Sequence, residues 1–216
     1  MITVELHCHT RYSRDSLVRI PQLLATCRKK GLQRLAITDH NTIQGALEAV
    51  ALDPDTSIAG EEILTLQGEL MAYFVKELVP PGLPSWETIN LLRQQEAFIS
   101  VAHPFATLRK GQWALHDLLD IAPYVDAIET FNSRCIAPQA NQLAADFARD
   151  HHLLATVGSD AHSLGEVAAA TLVLPEFTDA LSLEHALAQA QKRARLSSPW
   201  VHFYSRYAAW RKKMGY

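Results

Sequence analysis

The sequence predicts an α/β fold in which a largely parallel sheet closes, or nearly closes, into a barrel. Short apolar segments rich in β-branched residues alternate along the chain with helical stretches, as in strands joined by crossover helices. These segments are apolar on both faces, which is typical of strands covered on both sides. The chain has 216 residues, of which 48% are hydrophobic, so a single domain spanning residues 1–216 is expected.

Seven segments are predicted to be strands, because each is a short run of β-branched or other apolar residues. In chain order they are Ile2 to Leu6, Leu35 to Thr38, Met71 to Val75, Phe98 to Ala102, Val125 to Thr130, Leu153 to Val157 and Thr171 to Leu174. In barrels of this kind, side chains at the C-terminal ends of the strands collect at one mouth. Polar residues that follow the strands are therefore the candidates for a functional site.

Helices are predicted between the strands, from start and stop signals and from helical periodicity. They are Ile20 to Lys30, with Pro21 near its start and Gly31 after its end, then Trp86 to Glu96, Asn141 to His151 and Ser182 to Ala194. The basic tail from Arg206 to Lys213 is predicted to be a helix face or a partner contact, with the helix face favoured. The tryptophans are predicted to be packing residues; they are Trp86, Trp113, Trp200 and Trp210.

Charge and composition exclude several classes of protein. A net charge of -3 and a pI near 6.4 lack the basic excess that drives sequence-independent binding of long nucleic acids, although a local basic patch could still exist. No apolar run is long enough to span a bilayer and the first residues do not form a signal peptide, so we expect a cytoplasmic protein without membrane association. Cys8, Cys27 and Cys135 are too few and too irregularly spaced for a disulfide framework and are predicted to be reduced thiols.

The most informative motif is His7-Cys8-His9. Residues two apart on an extended strand point to the same face, about 6.5 Å apart along the chain, so both imidazoles can converge on one cation. The motif is weak alone but gains weight from further His and acid residues at the ends of apolar stretches. These are Asp39-His40, Glu61-Glu62, His103-Pro104 and Asp160-Ala161-His162. The set predicts a metal-dependent hydrolase.

Six motifs in this order resemble those of the polymerase and histidinol phosphatase (PHP) superfamily of metal-dependent phosphoesterases. They are His7-Cys8-His9-Thr10, Thr38-Asp39-His40-Asn41-Thr42, Gly60-Glu61-Glu62-Ile63, Ala102-His103-Pro104-Phe105, Ile128 to Arg134, and Gly158-Ser159-Asp160-Ala161-His162. The combination is specific, although each piece alone is not. The resemblance implies a distorted barrel of seven β/α units. Within the single predicted domain, we expect residues 195–216 to form a C-terminal extension packed on this barrel.

The resemblance also implies two to three divalent metal ions and assigns their ligands. His7, His9, Glu62 and Asp160 would surround one ion, and Glu62 would bridge to a second ion held by His103. Asp15, His40 and His162 would surround a third. Glu62 is preferred over Glu61 because the family pattern is Gly-x-Glu.

One ligand departs from the family pattern. Related members supply a His to the second ion before the His-Pro motif, whereas this chain offers Glu69 in Gly68-Glu69-Leu70. A metal ligand and a solvated strand-end charge are both open readings of Glu69. Asp15 has a similar alternative, because it could cap a helix or turn.

Polar residues at the end of the fifth predicted strand and just after it are the catalytic candidates. Glu129 and Asn132 could orient a ligand or water, or simply hold the loop together. Arg134 is predicted to clamp phosphate, because its planar fork suits oxyanions, with a surface salt bridge as the alternative. Arg109 and Lys110 could line the mouth, but as an exposed loop pair they are expected to be solvated.

Imidazoles and carboxylates together suit Zn, Mn or Fe. Clustered divalent cations make water nucleophilic near neutral pH and neutralise charge on a bound phosphate. The resulting prediction is hydrolysis of a phosphoester by a metal-bridging hydroxide. The substrate would be a small phosphomonoester, a nucleotide or a nucleic-acid end; the oligomeric state is open.

Two other functions stay open at this stage. Amidohydrolase-type barrels that cleave amides or lactams also use His-x-His and a late Asp, although the Thr38-Asp39-His40 and His103-Pro104 motifs argue against them. A catalytically silent metal-binding module is the other alternative, and the nearly complete ligand set argues against it.

Overall fold

The computed structural model describes residues 1–106 and 111–215, so the predictions for Arg109 and Lys110 lie outside the described residues. The strands are β1 Ile2–Glu5, β2 Arg34–Ile37, β3 Ser57–Leu64, β4 Glu69–Tyr73, β5 Phe98–Val101, β6 Ala127–Asn132, β7 Leu154–Gly158, β8 Ala170–Leu174 and β9 Gln191–Ala194. The helices are α1 Ile20–Lys30, α2 Gln44–Leu52, α3 Ser85–Gln94, α4 Leu115–Ile121, α5 Pro138–Asp150, α6 Ala180–Leu187 and α7 Val201–Lys213. A short 3-10 turn follows α4 at Ala122–Tyr124.

The strands form one sheet in the order β7-β6-β5-β4-β3-β2-β1-β8-β9. A parallel bridge between Cys8 and Ala161 joins the chain just after β1 to the chain just after β7. Its hydrogen bonds run from His9 N to Ala161 O at 2.9 Å and from Ala161 N to His7 O at 3.3 Å. The first seven strands therefore make a nearly closed barrel, and β8 and β9 extend the sheet beyond β1. The predicted α/β barrel is confirmed.

The sheet is mixed, whereas a largely parallel sheet was expected. Strands β1, β2 and β3 pair in parallel, as do β5, β6 and β7. Strand β4 runs antiparallel to both of its neighbours, because it returns directly from β3 through a hairpin. Strand β8 is antiparallel to β1, and β9 is antiparallel to β8.

Several predicted boundaries are wrong. The predicted helix from Ser182 to Ala194 ends at Leu187, and its last four residues form β9 instead, because they pair with β8. Strand β4 begins at Glu69, two residues before the predicted Met71. The sequence interpretation missed β3 as a strand, and it also missed the short helices α2 and α4.

The core lies on both sides of the barrel wall. On β4, Leu70 and Ala72 pack towards Ile89 and Leu92 of α3 in one cluster. Met71 and Tyr73 of the same strand belong to a second cluster with Phe98 and Phe177. Both faces of the strand are therefore apolar, which explains why the strands read as continuous hydrophobic runs.

The C-terminal helix α7 packs on the barrel through the side that carries small and polar residues. Ala208 is fully buried there. Lys212 Nζ donates hydrogen bonds to the backbone carbonyls of Arg11 and Ser13, on the loop that follows β1. Among residues 1–106 and 111–215, no helix is both long and apolar enough to cross a membrane.

Candidate metal centre

The predicted ligands meet at one mouth of the barrel, because they follow or end the parallel strands. His7 and His9 follow β1, His40 follows β2, His103 follows β5, and Asp160 follows β7. Glu62 lies near the end of β3, within the strand. Glu69 joins them because β4 runs in the opposite direction, so its first residue lies at the same end as the last residues of its neighbours.

Four side chains converge in the centre of this mouth. His7 Nε2 lies 3.1 Å from His9 Nε2. Glu62 Oε2 lies 3.5 Å from His7 Nε2 and 3.4 Å from His9 Nε2, and Asp160 Oδ1 lies 3.6 and 3.2 Å from the same two nitrogens. In a tetrahedral site with bonds of about 2.0–2.1 Å, neighbouring ligand atoms stand about 3.3 Å apart. Five of the six separations among the four atoms therefore match those of ligands of one metal ion.

The tautomer of His7 follows from its neighbour Glu129. His7 Nδ1 lies 2.8 Å from Glu129 Oε1. A carboxylate only accepts, so Nδ1 carries the proton and donates it, which leaves the lone pair on Nε2. Carboxylates placed behind metal-bound imidazoles do this in many metal sites.

The tautomer of His9 follows from a longer chain of hydrogen bonds. Ser13 Oγ donates to Asp39 Oδ1 at 2.6 Å, so its one proton is used there. The same oxygen lies 3.0 Å from His9 Nδ1, so it must accept a hydrogen bond from a proton on that nitrogen. Asp39 is held in place by the backbone N–H and the hydroxyl of Thr10, both at 2.6 Å. His9 therefore also directs an unprotonated Nε2 into the centre.

When both imidazoles are neutral, as metal ligation requires, two lone pairs face each other across 3.1 Å between His7 and His9. Two unprotonated imidazole nitrogens at this distance repel each other unless a cation lies between them. The residues present therefore fit a bound metal ion, both in donor type and in spacing.

A second group of ligand atoms lies on the other side of Glu62. Glu62 Oε1 is 2.9 Å from His103 Nε2, and Glu69 Oε2 is 3.6 Å from the same nitrogen. Glu62 Oε2 is also 2.7 Å from His40 Nδ1. The ligand atoms of His40, Glu62 and Glu69 lie within 4.8 Å of one another. Glu62 thus presents one oxygen to each group, and Glu69 lies among ligand atoms instead of in solvent.

A third group surrounds Asp15. Its Oδ1 lies 3.3 Å from His162 Nε2 and 3.6 Å from His40 Nε2. The ligand atoms of His9, His40 and His162 also lie within 4.8 Å of one another. This group borders the first, because His9 faces both.

Without cations, the carboxylates and imidazoles in the barrel mouth do not balance each other's charge. Burial opposes protonation of His7, but Glu129, Asp160 and Glu62 outweigh it and raise its pKa well above the ordinary value. Burial also opposes protonation of His40, yet Glu62 raises its pKa to about 9. By contrast, burial and the neighbouring His162 and His40 hold the pKa of His9 well below its usual range. The carboxylates therefore demand positive charge at this point, which divalent ions would supply while the imidazoles stay neutral.

The backbone at the ligands is unusual. His103 and Asp160 both have positive φ values, of 23° and 52°. Such conformations cost about 1–3 kcal/mol each in non-glycine residues and cluster at functional sites. Gly158 is required nearby, because a Cβ there would collide with the side chain of His7 and with Glu129 Oε1.

Comparison with known proteins agrees with this geometry. Residues 5–57 match the model of the PHP domain, and residues 138–193 match that of the PHP-associated family. The chain is also 34% identical over 176 residues to the uncharacterized protein MJ0417 of Methanocaldococcus jannaschii, covering 80% of this chain and 70% of that protein. The chain belongs to the PHP family. A second uncharacterized protein of that organism, MJ1587, is 34% identical over 143 residues, covering 60% of this chain and 81% of that protein.

Solved structures show the same PHP fold at low sequence identity. A protein of Bifidobacterium adolescentis, assigned as a metal-dependent phosphoesterase, has a TM-score of 0.64 at 18% identity, covering 86% of this chain and 96% of that chain. A two-domain protein of Bacteroides vulgatus that contains a predicted PHP-like metal-dependent phosphoesterase has a TM-score of 0.71 at 16% identity, covering 90% and 65%. The lesion-specific endonuclease PfuEndoQ of Pyrococcus furiosus has a TM-score of 0.61 at 14% identity, covering 88% and 57%.

The three catalytic candidates of this PHP barrel lie behind or beside the ligands. Glu129 Oε2 accepts hydrogen bonds from His103 N and from Asn132 Nδ2, both at 3.0 Å. Asn132 Nδ2 is also 3.2 Å from Asp160 Oδ2. These contacts make Glu129 and Asn132 positioning residues for the ligands, since they hold three of them from behind.

Arg134 is buried beside the third group, and the predicted alternative of a surface salt bridge is wrong. Its Nη1 lies 2.5 Å from His162 Nδ1, and its Nη2 donates to Ser205 Oγ at 2.7 Å and to Val201 O at 3.2 Å. Its Nε is 3.4 Å from Glu166 Oε1. The guanidinium is therefore fixed by α7 while it lines a cavity at the barrel mouth.

This cavity has a volume of about 310 Å³ and reaches the ligands Asp15, His40, Glu69 and His162. Its other wall includes His202, Ser205 and Arg206 of α7. Sequence interpretation gave no role to His202, because no motif surrounds it. It also missed the role of Ser13, whose partners His9 and Asp39 are recognisable only in three dimensions.

Glu61, the neighbour that was not chosen as a ligand, points away from the metal centre. Its Oε2 accepts a hydrogen bond from Val79 N at 3.2 Å, and its Oε1 has no hydrogen-bond partner among the described residues. Burial raises the pKa of this carboxyl to about 7. The pKa of Glu61 is therefore higher in the folded protein than in the unfolded chain. This difference stabilises the folded protein at low pH, where the carboxyl is protonated, and the stabilisation is lost as the pH rises through about 7.

We therefore expect Glu61→Gln to make the protein more stable than the wild type at about pH 8, by about 1–3 kcal/mol. The difference should shrink at about pH 5, where Glu61 is protonated in the folded protein. Denaturant unfolding of both proteins at the two pH values measures it. A difference that does not change with pH would show that Glu61 is not ionised at alkaline pH.

Proposed function

We infer that this PHP protein is a metal-dependent phosphoesterase that hydrolyses a phosphomonoester, a nucleotide or a nucleic-acid end. The observation that carries the proposal is the convergence of His7 Nε2 and His9 Nε2, 3.1 Å apart and flanked by Glu62 and Asp160. Membership of the PHP family implies divalent metals. Two structural neighbours assigned as metal-dependent phosphoesterases support the same general class of enzyme.

Three groups of residues would hold the ions. His7, His9, Glu62 and Asp160 form the first group. His103 and Glu69 share Glu62 with it, and Asp15, His40 and His162 form the third. Two to three ions of Zn, Mn or Fe suit this mixture of imidazoles and carboxylates. When bound, such ions lower the pKa of coordinated water to near neutrality and neutralise charge on a phosphate.

The protein's own groups prepare the site for that chemistry. Glu129 and the Ser13–Asp39 pair fix the orientation of the two imidazoles, so that the Nε2 atoms of His7 and His9 face the centre. Arg134 adds a fixed positive charge at the cavity wall, where it stabilises phosphoryl oxygens. The cavity of about 310 Å³ lies at the small end of ligand sites, which suits a small phosphorylated substrate or a strand end.

The decisive test is metal analysis of protein purified without added metal, paired with a phosphoester screen of the wild type and His9→Ala. We expect more than one metal ion per chain in the wild type. The variant should lose bound metal, and its turnover should fall by about a hundredfold or more. His116→Ala is the matched control, because His116 is an exposed histidine on α4, away from the ligand groups. Unchanged metal content and activity in His9→Ala would overturn the proposal.

The alternative function is that of an amidohydrolase. One structural neighbour, an amidohydrolase from Chromobacterium violaceum, has a TM-score of 0.61 at 15% identity, covering 88% of this chain and 97% of that chain. Assays of lactams beside phosphomonoesters distinguish this alternative from the phosphoesterase. Turnover of a lactam without turnover of any phosphoester would favour that reaction. A metal-loaded protein that cleaves neither would favour a silent binding module.

A further inference from the structure

Helix α7 carries its large aromatic side chains on the side that faces away from the barrel. At 100° per residue, Ser205, Ala208 and Lys212 lie on one side of the helix, and this side contacts the protein. Trp200, Phe203, Tyr207, Trp210 and Met214 follow the opposite side with alternating spacings of three and four residues. We name this second set the aromatic ridge.

The aromatic ridge is strongly exposed. Its members have exposed fractions of 75%, 62%, 49%, 57% and 60% in chain order. Ring centroids are 5.3 Å apart between Trp200 and Phe203 and 6.1 Å apart between Tyr207 and Trp210. The prediction that the tryptophans are packing residues is therefore wrong for Trp200 and Trp210, and also for Trp86, which is 63% exposed; only Trp113 is buried. A continuous exposed apolar surface of this kind is typical of a binding site.

The segment that carries the ridge contains only positive formal charges. After Ala190 the chain contains seven Lys and Arg residues and no Asp or Glu. Because the whole chain has a net charge of -3, residues 1–190 carry -10. Arg206 and Lys213 flank the ridge on one side and Arg211 on the other. Strand β9, which leads towards α7, exposes Lys192 and Arg193 on the open edge of the sheet. The surface is therefore complementary to a polyanion, although the protein as a whole is acidic.

We propose that the aromatic ridge and its flanking basic residues bind single-stranded nucleic acid. Flat aromatic side chains stack on bases of any sequence, and basic residues beside them neutralise phosphates. The composition disfavours pairing of the ridge with a second copy of α7. Such pairing would place Arg206, Arg211 and Lys213 against like charges, and helix pairs prefer Leu and Ile to Trp in the seam.

The position of α7 links this surface to the metal centre. His202, Ser205 and Arg206 of the same helix line the cavity that contains Asp15 and His162. A strand held on the ridge would therefore pass beside the mouth of the barrel, where its end could enter. This step rests on the proposed phosphoesterase function, whereas binding to the ridge does not require it.

The test is fluorescence anisotropy of a short fluorescein-labelled oligothymidylate with a phosphorothioate backbone, which separates binding from cleavage. We expect saturable binding that weakens about tenfold or more between about 50 and 200 mM salt. The variants Phe203→Ala and Trp210→Ala should each weaken binding about tenfold, and Lys213→Glu should weaken it and reduce the salt dependence.

Matched controls lie elsewhere on the surface. Trp86→Ala removes an exposed tryptophan from α3, and Lys29→Ala removes an exposed lysine from α1; both should bind as the wild type does. Phosphomonoester turnover by Trp210→Ala should equal that of the wild type. If the wild type binds oligothymidylate but turns over no phosphoester, the proposed phosphoesterase function is disproved and the ridge proposal still stands.

Three results would overturn the proposal. The first is oligothymidylate binding that is absent or equal in the wild type and both ridge variants. The second is co-sedimentation with vesicles of phosphatidylglycerol and phosphatidylcholine without oligonucleotide binding, which would make the ridge a membrane contact. The third is a dimer in light scattering that Trp210→Ala converts to a monomer, which would assign the ridge to a second copy of this chain.

Discussion

Glu62→Gln is expected to reduce phosphoester turnover by about a thousandfold or more and to lower the metal content of the protein. Glu62 is the side chain shared by the most ligand groups. Its Oε1 faces His103 at 2.9 Å, and its Oε2 faces His40 at 2.7 Å and His9 at 3.4 Å. Glutamine keeps the shape but removes the negative charge, and its amide nitrogen cannot ligate. One substitution therefore damages every group that Glu62 joins.

The electrostatics point in the same direction. Burial opposes ionisation of Glu62, but His40 and His7 overcome it and hold its pKa well below the ordinary value. The carboxylate is therefore charged at neutral pH, and that charge is lost in the variant. Metal content by elemental analysis and turnover in the same preparations are the two measurements.

Glu61→Gln is the matched control for this experiment, because the two residues are neighbours on β3 with side chains on opposite faces. Glu61 accepts a hydrogen bond from Val79 and has no contact with the ligand groups described above. It should keep wild-type metal content and turnover. Equal activity of Glu62→Gln and the wild type would contradict the assignment of Glu62 as a shared ligand.

Removal of the bound metal should lower the melting temperature by about 10 °C. A ligand present at about a thousand times its Kd stabilises the folded state by about 4 kcal/mol, and each kcal/mol shifts Tm by about 2–4 °C in a domain of this size. The buried carboxylates Glu62 and Asp160 determine the direction, because without cations their negative charge lacks the divalent partner that the surrounding imidazoles would share. Melting curves with chelator, and again after metal is restored, measure the effect.

The same measurement on Glu62→Gln provides the control for metal removal. Its Tm should respond less to chelator, since it begins with less bound metal. A wild-type protein that is shown by elemental analysis to be stripped, yet melts at the same temperature, would show that these groups do not bind metal tightly. That outcome would also remove the basis for the proposed hydrolysis.

The barrel and the family were predictable from the sequence because the strands are short apolar runs and the motifs follow them at fixed places. His7, His40, His103 and Asp160 each follow such a run, and the ends of parallel strands necessarily meet. Glu69 was harder to interpret. Its place among ligand atoms depends on the reversed direction of β4, and the hairpin that reverses it lacks a strong turn signal in the predicted strand pattern.

The elements that were missed have physical reasons as well. Strand β3 contains Glu61 and Glu62, whose charges interrupt the apolar pattern that identifies a strand. Strand β9 is fully exposed and contains Gln191, Lys192, Arg193 and Ala194, all good helix formers, so only its pairing with β8 makes it a strand. The exposed tryptophans of α7 could not be distinguished from packing residues, because exposure depends on which side of the helix meets the barrel.

The bridge between Cys8 and Ala161 has a consequence for how the protein is made. It spans 153 residues of chain, and the imidazoles and the carboxylate that would share an ion lie on its two sides. During synthesis the amino-terminal histidines leave the ribosome long before their acidic partner exists. High-affinity metal binding would then occur only after the barrel is complete, and the bound ion would link the first strand to the seventh.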